Sequence, residues 1–119
     1  FVTWPRKPKS KWYRGKTGRV FKNSNYMSNE LNKRSHKLAN YLGASEIRIG
    51  DYWNFINKKY PNINLYNTDD SHPSLAGSYF SALLFYKVFS GSKNIANLEY
   101  KPQNLPEQDA KLLRLIVAG

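Results

Sequence analysis

Apolar residues recur along this chain with two different periods, and each change of period marks an element. Met27, Leu31, Leu38 and Leu42 return at near-helical spacing, while Lys33, Arg34 and Lys37 fall off that face. Asn23, Ser24 and Asn25 offer oxygens for an N-cap, and Gly43 supplies a C-terminal stop. The pattern predicts a helix between these signals, with His36 on its polar flank as a surface histidine. In "SEIRIG" the period drops to two, with Ile47 and Ile49 alternating with polar residues, which predicts a short strand. Asp51 can cap a following helix carrying Tyr52, Phe55, Ile56 and Lys59, and Pro61 ends it. "INLYN" is another short apolar run, read as a strand.

Residues 69 to 80, "DDSHPSLAGSYF", open the next element. Pro73 holds His72 away from helical angles, because the residue before proline is pushed toward extended ones. A helix starting near Pro73 or Ser74 then runs to Gly91, apolar around most of its circumference and so expected to be buried. Gly77 costs that helix about 1 kcal/mol relative to alanine. Close approach of a neighbouring element would offset the cost. A polar connector, "KNIANLEYKPQNLPEQ", leads to a last helix in "DAKLLRLIVAG", and "FVTW" at the other end reads as a short strand stopped by Pro5. Strands alternating with helices predict an α/β architecture with parallel pairing.

Length sets one domain at most, residues 1–119, and a complete domain of this size buries roughly two-thirds of its unfolded surface. An apolar start without methionine suggests a piece of a longer polypeptide. With no cysteine there is no disulfide, thiolate metal site or cysteine nucleophile, and no apolar run approaches a membrane span. The net charge of +11 is unevenly placed: eight Lys or Arg residues precede the first acid, Glu30. Pro5, Pro8, Gly15 and Gly18 make residues 5–22 a basic loop rather than a helix or strand. One reading of that loop is a binding module for an anionic polymer, nucleic acid or acidic polysaccharide, with Trp12, Tyr13 and Phe21 as stacking surfaces. The other is a solvated loop, since charge alone speaks to solubility and non-specific attraction.

An imidazole becomes a good general base when a carboxylate holds one nitrogen and the other faces a nucleophile. Asp69 and His72, three apart in an irregular turn, can meet that requirement locally, with Asp70 as a competitor for the same role. The position also suits a site, because open α/β sheets bind ligands beyond the carboxyl ends of strands. The alternative is structural: Asp69 caps the turn and His72 packs on its wall. One histidine and two aspartates are too few for a metal centre, and no cofactor is called for.

The run "LYNTDDSHPSLAGSYFSALLFYKVFSG" resembles the last block of the SGNH hydrolases, the GDSL esterase/lipase superfamily, which carries Asp-x-x-His-Pro leading into a helix. With "TWPR" and "IRIGDYW", residues 1 to about 91 are similar in order and type to one bacterial branch of that superfamily. The resemblance implies the C-terminal half of a flavodoxin-like three-layer α/β/α sandwich that hydrolyses esters through serine, histidine and aspartate. His72 would be the base and Asp69 its partner. The substrate would be a small ester or an acylated carbohydrate. The family's Gly-Asp-Ser nucleophile block and its glycine and asparagine oxyanion donors have no counterpart here, and Ser71, Ser74 and Ser78 lie too close to His72 in sequence to face it across a site. The expectation is an incomplete domain, the base-bearing portion of an acyl hydrolase and inactive alone.

Overall fold

Four helices carry the architecture of the computed structural model, which describes residues 4–7, 21 and 23–119: α1 (Ser24–Leu42), α2 (Ile49–Lys59), α3 (Leu75–Ser90) and α4 (Glu107–Ala118), with a 3-10 turn at Ile95–Asn97 before α4. The capping signals of α1 and α3 act as their chemistry dictates, whereas Asp51, expected to cap α2, lies within its first turn. That helix already starts at Ile49, with no side-chain cap on Arg48 before it. The Asn23 side chain accepts from the Tyr26 N–H to start α1, and Gly43 ends it in the left-handed conformation. Ser74 caps α3 by accepting from the Gly77 N–H. α4 starts at Glu107, two residues before the aspartate expected to open it, and places Glu107 and Asp109 in its first turn, where the helix dipole favours anions.

The expected α/β sandwich with a parallel sheet is not what forms: among the described residues there is no strand, and Tyr66 meets Pro73 in an isolated antiparallel bridge. Local bonds explain the loss. In "INLYN", the Leu65 carbonyl accepts from the Ser74 N–H, the Tyr66 N–H goes to the Asn64 side chain, and the Asn67 N–H goes to the His72 carbonyl. Backbone groups that a parallel ladder needs are consumed within ten residues of chain. In "SEIRIG" the extended pairing is confined to a bridge at Ile47, since the Ile49 N–H turns back onto the Ile47 carbonyl and α2 begins at Ile49 itself. The "FVTW" strand lies outside the described residues except for Trp4, which is in irregular backbone. Most of the basic loop likewise lies outside them.

The core is built on aromatics and packed helices. Trp53, Tyr66 and Phe80 are almost wholly buried, with Ile49, Ile56, Leu65, Ile95, Leu113 and Val117 around them. Trp4 stacks on Trp53 at 5.1 Å, and Tyr66 and Phe80 meet Trp53 edge-on. α3 packs on α4, and the buried Arg114 of α4 joins Tyr79 Oη at 3.3 Å and Glu107 at 2.8 Å. Those bonds, Tyr79's first, hold the guanidinium pKa above its ordinary value. α1 departs from its apolar stripe. Leu38 and Leu42 are 44% and 58% exposed, while Ser24, Ser28 and Asn32 turn inward with Met27 and Ala39. The α1–α2 seam is therefore polar, with Asn32 Nδ2 donating to Asp51 Oδ1 at 2.7 Å and Ser24 Oγ reaching Asn54 Oδ1 at 3.4 Å.

Gly77 explains itself where α3 meets the Leu65 backbone and the Trp53 ring. A Cβ there would lie 2.2 Å from the Leu65 carbonyl oxygen and 3.0 Å from the Trp53 ring, so only glycine lets α3 approach this closely. That contact brings the 65–73 segment down onto the start of α3.

Candidate active site at the Asp69–His72 turn

The turn is assembled by short-range bonds. The Asp70 N–H donates to the Asn67 carbonyl at 3.0 Å, and the Asn67 N–H to the His72 carbonyl at 2.7 Å. Asp70 takes φ 58°, a left-handed conformation that aspartate tolerates better than most residues. This reversal aims two successive N–H groups, of Ser71 and His72, at one oxygen of Asp69, at 3.0 and 2.9 Å. The second Asp69 oxygen is hydrogen-bonded to His72 Nδ1. Leaving the turn, Ser74 Oγ donates to the Asn64 carbonyl at 2.7 Å while it caps α3, so His72 sits immediately before a fixed helix start.

The electrostatics follow from these bonds. The His72 side-chain bond first, then the two backbone N–H groups, draw the Asp69 pKa from an ordinary 3.8 down to about 2. These bonds favour the ionised form of Asp69. The His72 side chain is 77% exposed, and among the described residues its Nε2 has no hydrogen-bond partner. A carboxylate-held imidazole with its second nitrogen turned to solvent can accept a proton from an incoming hydroxyl.

Both predicted site residues are thus brought together, and Asp70 is not the partner. Its carbonyl accepts from the Lys7 N–H at 3.0 Å, and its carboxylate lies 3.5 Å from Lys7 Nζ. Neighbouring serines are occupied: Ser71 Oγ accepts from Arg6 Nε at 3.1 Å, and Ser74 is spent on its cap. Sequence reasoning gave no site role to Trp4, Arg6 and Lys7, whose contacts with the turn span more than sixty residues of chain; only the inclusion of "TWPR" in the resemblance pointed to Trp4 and Arg6. Of the proposed stacking residues in the basic loop, Trp12 and Tyr13 lie outside the described residues, and Phe21 rests against Tyr26 at 6.3 Å.

The main cavities among the described residues lie away from the His72 imidazole, and none of these is lined by His72 or Asp69. An apolar groove of about 630 Å³ runs between α2 and α4, lined by Tyr52, Phe55, Tyr60, Leu112, Leu115 and Ile116. A smaller one of about 340 Å³, with Lys7, Asn64 and Tyr66 on its walls, adjoins the Lys7 side of the turn. Among the described residues no three His, Asp or Glu side chains group closely enough to hold a metal ion, and no helix is long and apolar enough to cross a membrane. Comparison with protein-family models, with curated proteins and with solved structures returned no match.

Proposed function

We propose that this chain supplies the general base of a serine acyl hydrolase, with His72 as the base and Asp69 as its orienting carboxylate. The observation that carries the reading is the single bonded nitrogen of His72: Nδ1 is held by an ionised Asp69, and Nε2 is left for a hydroxyl. In the reaction, Nε2 removes the proton from the attacking hydroxyl as its oxygen bonds to the ester carbonyl carbon. Asp69 stabilises the imidazolium, and that proton then passes to the departing alkoxide. Water repeats the cycle on the acyl intermediate. The similarity to the SGNH block supports the choice of ester chemistry and of a small ester or acylated carbohydrate as substrate.

The hydroxyl and the oxyanion donors belong, on this proposal, to a part of the parent protein outside these 119 residues, carrying a Gly-Asp-Ser-like block. It would seat against the exposed face of His72. Loss of one oxyanion donor alone lowers turnover by about 10²–10³, so the chain by itself should not hydrolyse esters. The test is His72→Ala in the parent protein with p-nitrophenyl acetate. Turnover should fall by about 10²–10⁴ while the fold persists; undiminished turnover excludes His72 as the base.

A structural reading draws on the other Asp69 oxygen, which accepts two backbone N–H groups and would brace the turn with no chemistry at all. It requires that His72→Ala leave every activity of the parent protein unchanged. The high positive charge favours a third use, retention of an anionic polymer, in which binding to heparin should weaken steeply with added salt. Salt-insensitive retention would count against it.

A further inference from the structure

Segment 4–7 touches the turn at two consecutive carbonyls. The Lys7 N–H donates to the Asp70 carbonyl at 3.0 Å, and Trp4 Nε1 donates to the Ser71 carbonyl at 3.0 Å. A trans peptide is planar, with its C=O and N–H pointing to opposite sides. Holding the Asp70 carbonyl toward Lys7 therefore turns the Ser71 N–H the other way, and holding the Ser71 carbonyl toward Trp4 does the same for the His72 N–H. Those are the two N–H groups that grip Asp69 Oδ1. With one carboxylate oxygen fixed by two peptide planes, the other is aimed at His72 Nδ1.

The segment is itself anchored in the core. Trp4 lies flat on the buried Trp53, with an angle of 11° between the rings, and the Pro5 carbonyl accepts from the buried Tyr66 hydroxyl at 2.9 Å. Arg6 Nε adds a bond to Ser71 Oγ at 3.1 Å, and Lys7 Nζ faces the Asp70 carboxylate. We infer that segment 4–7 is a positioning strap, with Trp4 its principal residue, that sets the His72 tautomer by fixing the peptide planes behind Asp69. The value of that tautomer to a reaction rests on the reading of His72 as a base; the strap itself does not.

Which ring nitrogen carries the proton is set by the bond the other side of the pair accepts or gives, and long-range ¹H–¹⁵N spectra of the 119-residue chain read it directly. At a pH where the ring is neutral, His72 should be mainly Nδ1–H. Trp4→Phe keeps the aromatic stack and removes the donor. It should move the His72 ratio several-fold toward Nε2–H, the form an unconstrained histidine side chain prefers, while His36, bonded to Glu46 on another part of the molecule, stays as it was. An unchanged His72 ratio overturns the inference, and so does an equal shift at both histidines, which would mean general loosening. Should Trp4→Phe fail to fold, Ser71→Ala removes the Arg6 contact at a partly exposed position and should shift His72 the same way by less; no shift there also overturns it. Failure of the hydrolase reading is a separate result: turnover in the parent protein surviving His72→Ala, with the tautomer response intact.

Discussion

Two histidines in this molecule each carry a carboxylate on Nδ1, and they differ in what happens at the other nitrogen. His36 bonds Glu46 at 2.9 Å and also takes Asn40 Nδ2 on Nε2 at 3.2 Å. His72 bonds Asp69 and leaves Nε2 open. Both rings are exposed, so burial does not separate them. The Glu46 contact pins α1 to the segment before α2, and with both nitrogens used the ring is a connector. A neighbouring acid is therefore a poor marker of a base on its own; the unspent lone pair is the discriminating feature.

The contrast is sharpest in activity. On the proposed hydrolase reading, His72→Ala in the parent protein should lower ester turnover by about 10²–10⁴, the usual contribution of a general base, whereas His36→Ala should leave it unchanged. Equal losses would dissolve the distinction. Next in size is Gly77→Ala. Its Cβ would strike the Leu65 carbonyl, backbone that cannot simply rotate away, and overpacking of this kind costs about 1–3 kcal/mol. Denaturant melts should report the loss, and NMR should show the Asp69–His72 bond disturbed with the His36–Glu46 bond retained.

A smaller effect appears in acid. Because the Asp69 pKa is lowered in the folded turn, its contribution is fully present above the ordinary carboxylate value near 3.8 and is lost as pH falls through about 2. Turn closure followed by the Ser71 and His72 amide resonances should fall within that window, and Asp69→Asn should abolish the fall. Smallest of all is Asn40→Ala, which frees His36 Nε2 at a cost of about 0.5 kcal/mol. It should make His36 resemble His72 in bonding yet confer no ester turnover, since no hydroxyl is brought to it. Turnover gained through His36 would show that a free nitrogen alone is enough.

Much of this arrangement was readable from nearby residues. Asn23 and Gly43 bracket α1, Ser74 starts α3, Asp69 lies three residues from His72, and the cost of Gly77 signalled a close neighbour that proved to be Leu65. The strands were misread because alternation in "SEIRIG" and an apolar run in "INLYN" describe side-chain burial, while a strand also needs backbone partners. Those partners were taken by the Ile47 carbonyl, the Asn64 side chain and Ser74. The inward face of α1 was missed for a related reason: Asn32 and Ser24 are buried by bonding Asp51 and Asn54, which hydrophobic periodicity cannot register.

Local order along the chain dictated the four helices, the caps of α1 and α3 and the meeting of Asp69 with His72, because each depends on groups no more than a few residues apart. Packing settled the absence of a sheet among the described residues, the polar seam under α1 and the docking of Trp4 and Lys7 behind the turn. Those outcomes depend on which distant donors and acceptors reach one another first, such as Trp4 with Ser71, 67 residues apart. Spacing in one dimension carries no record of that competition.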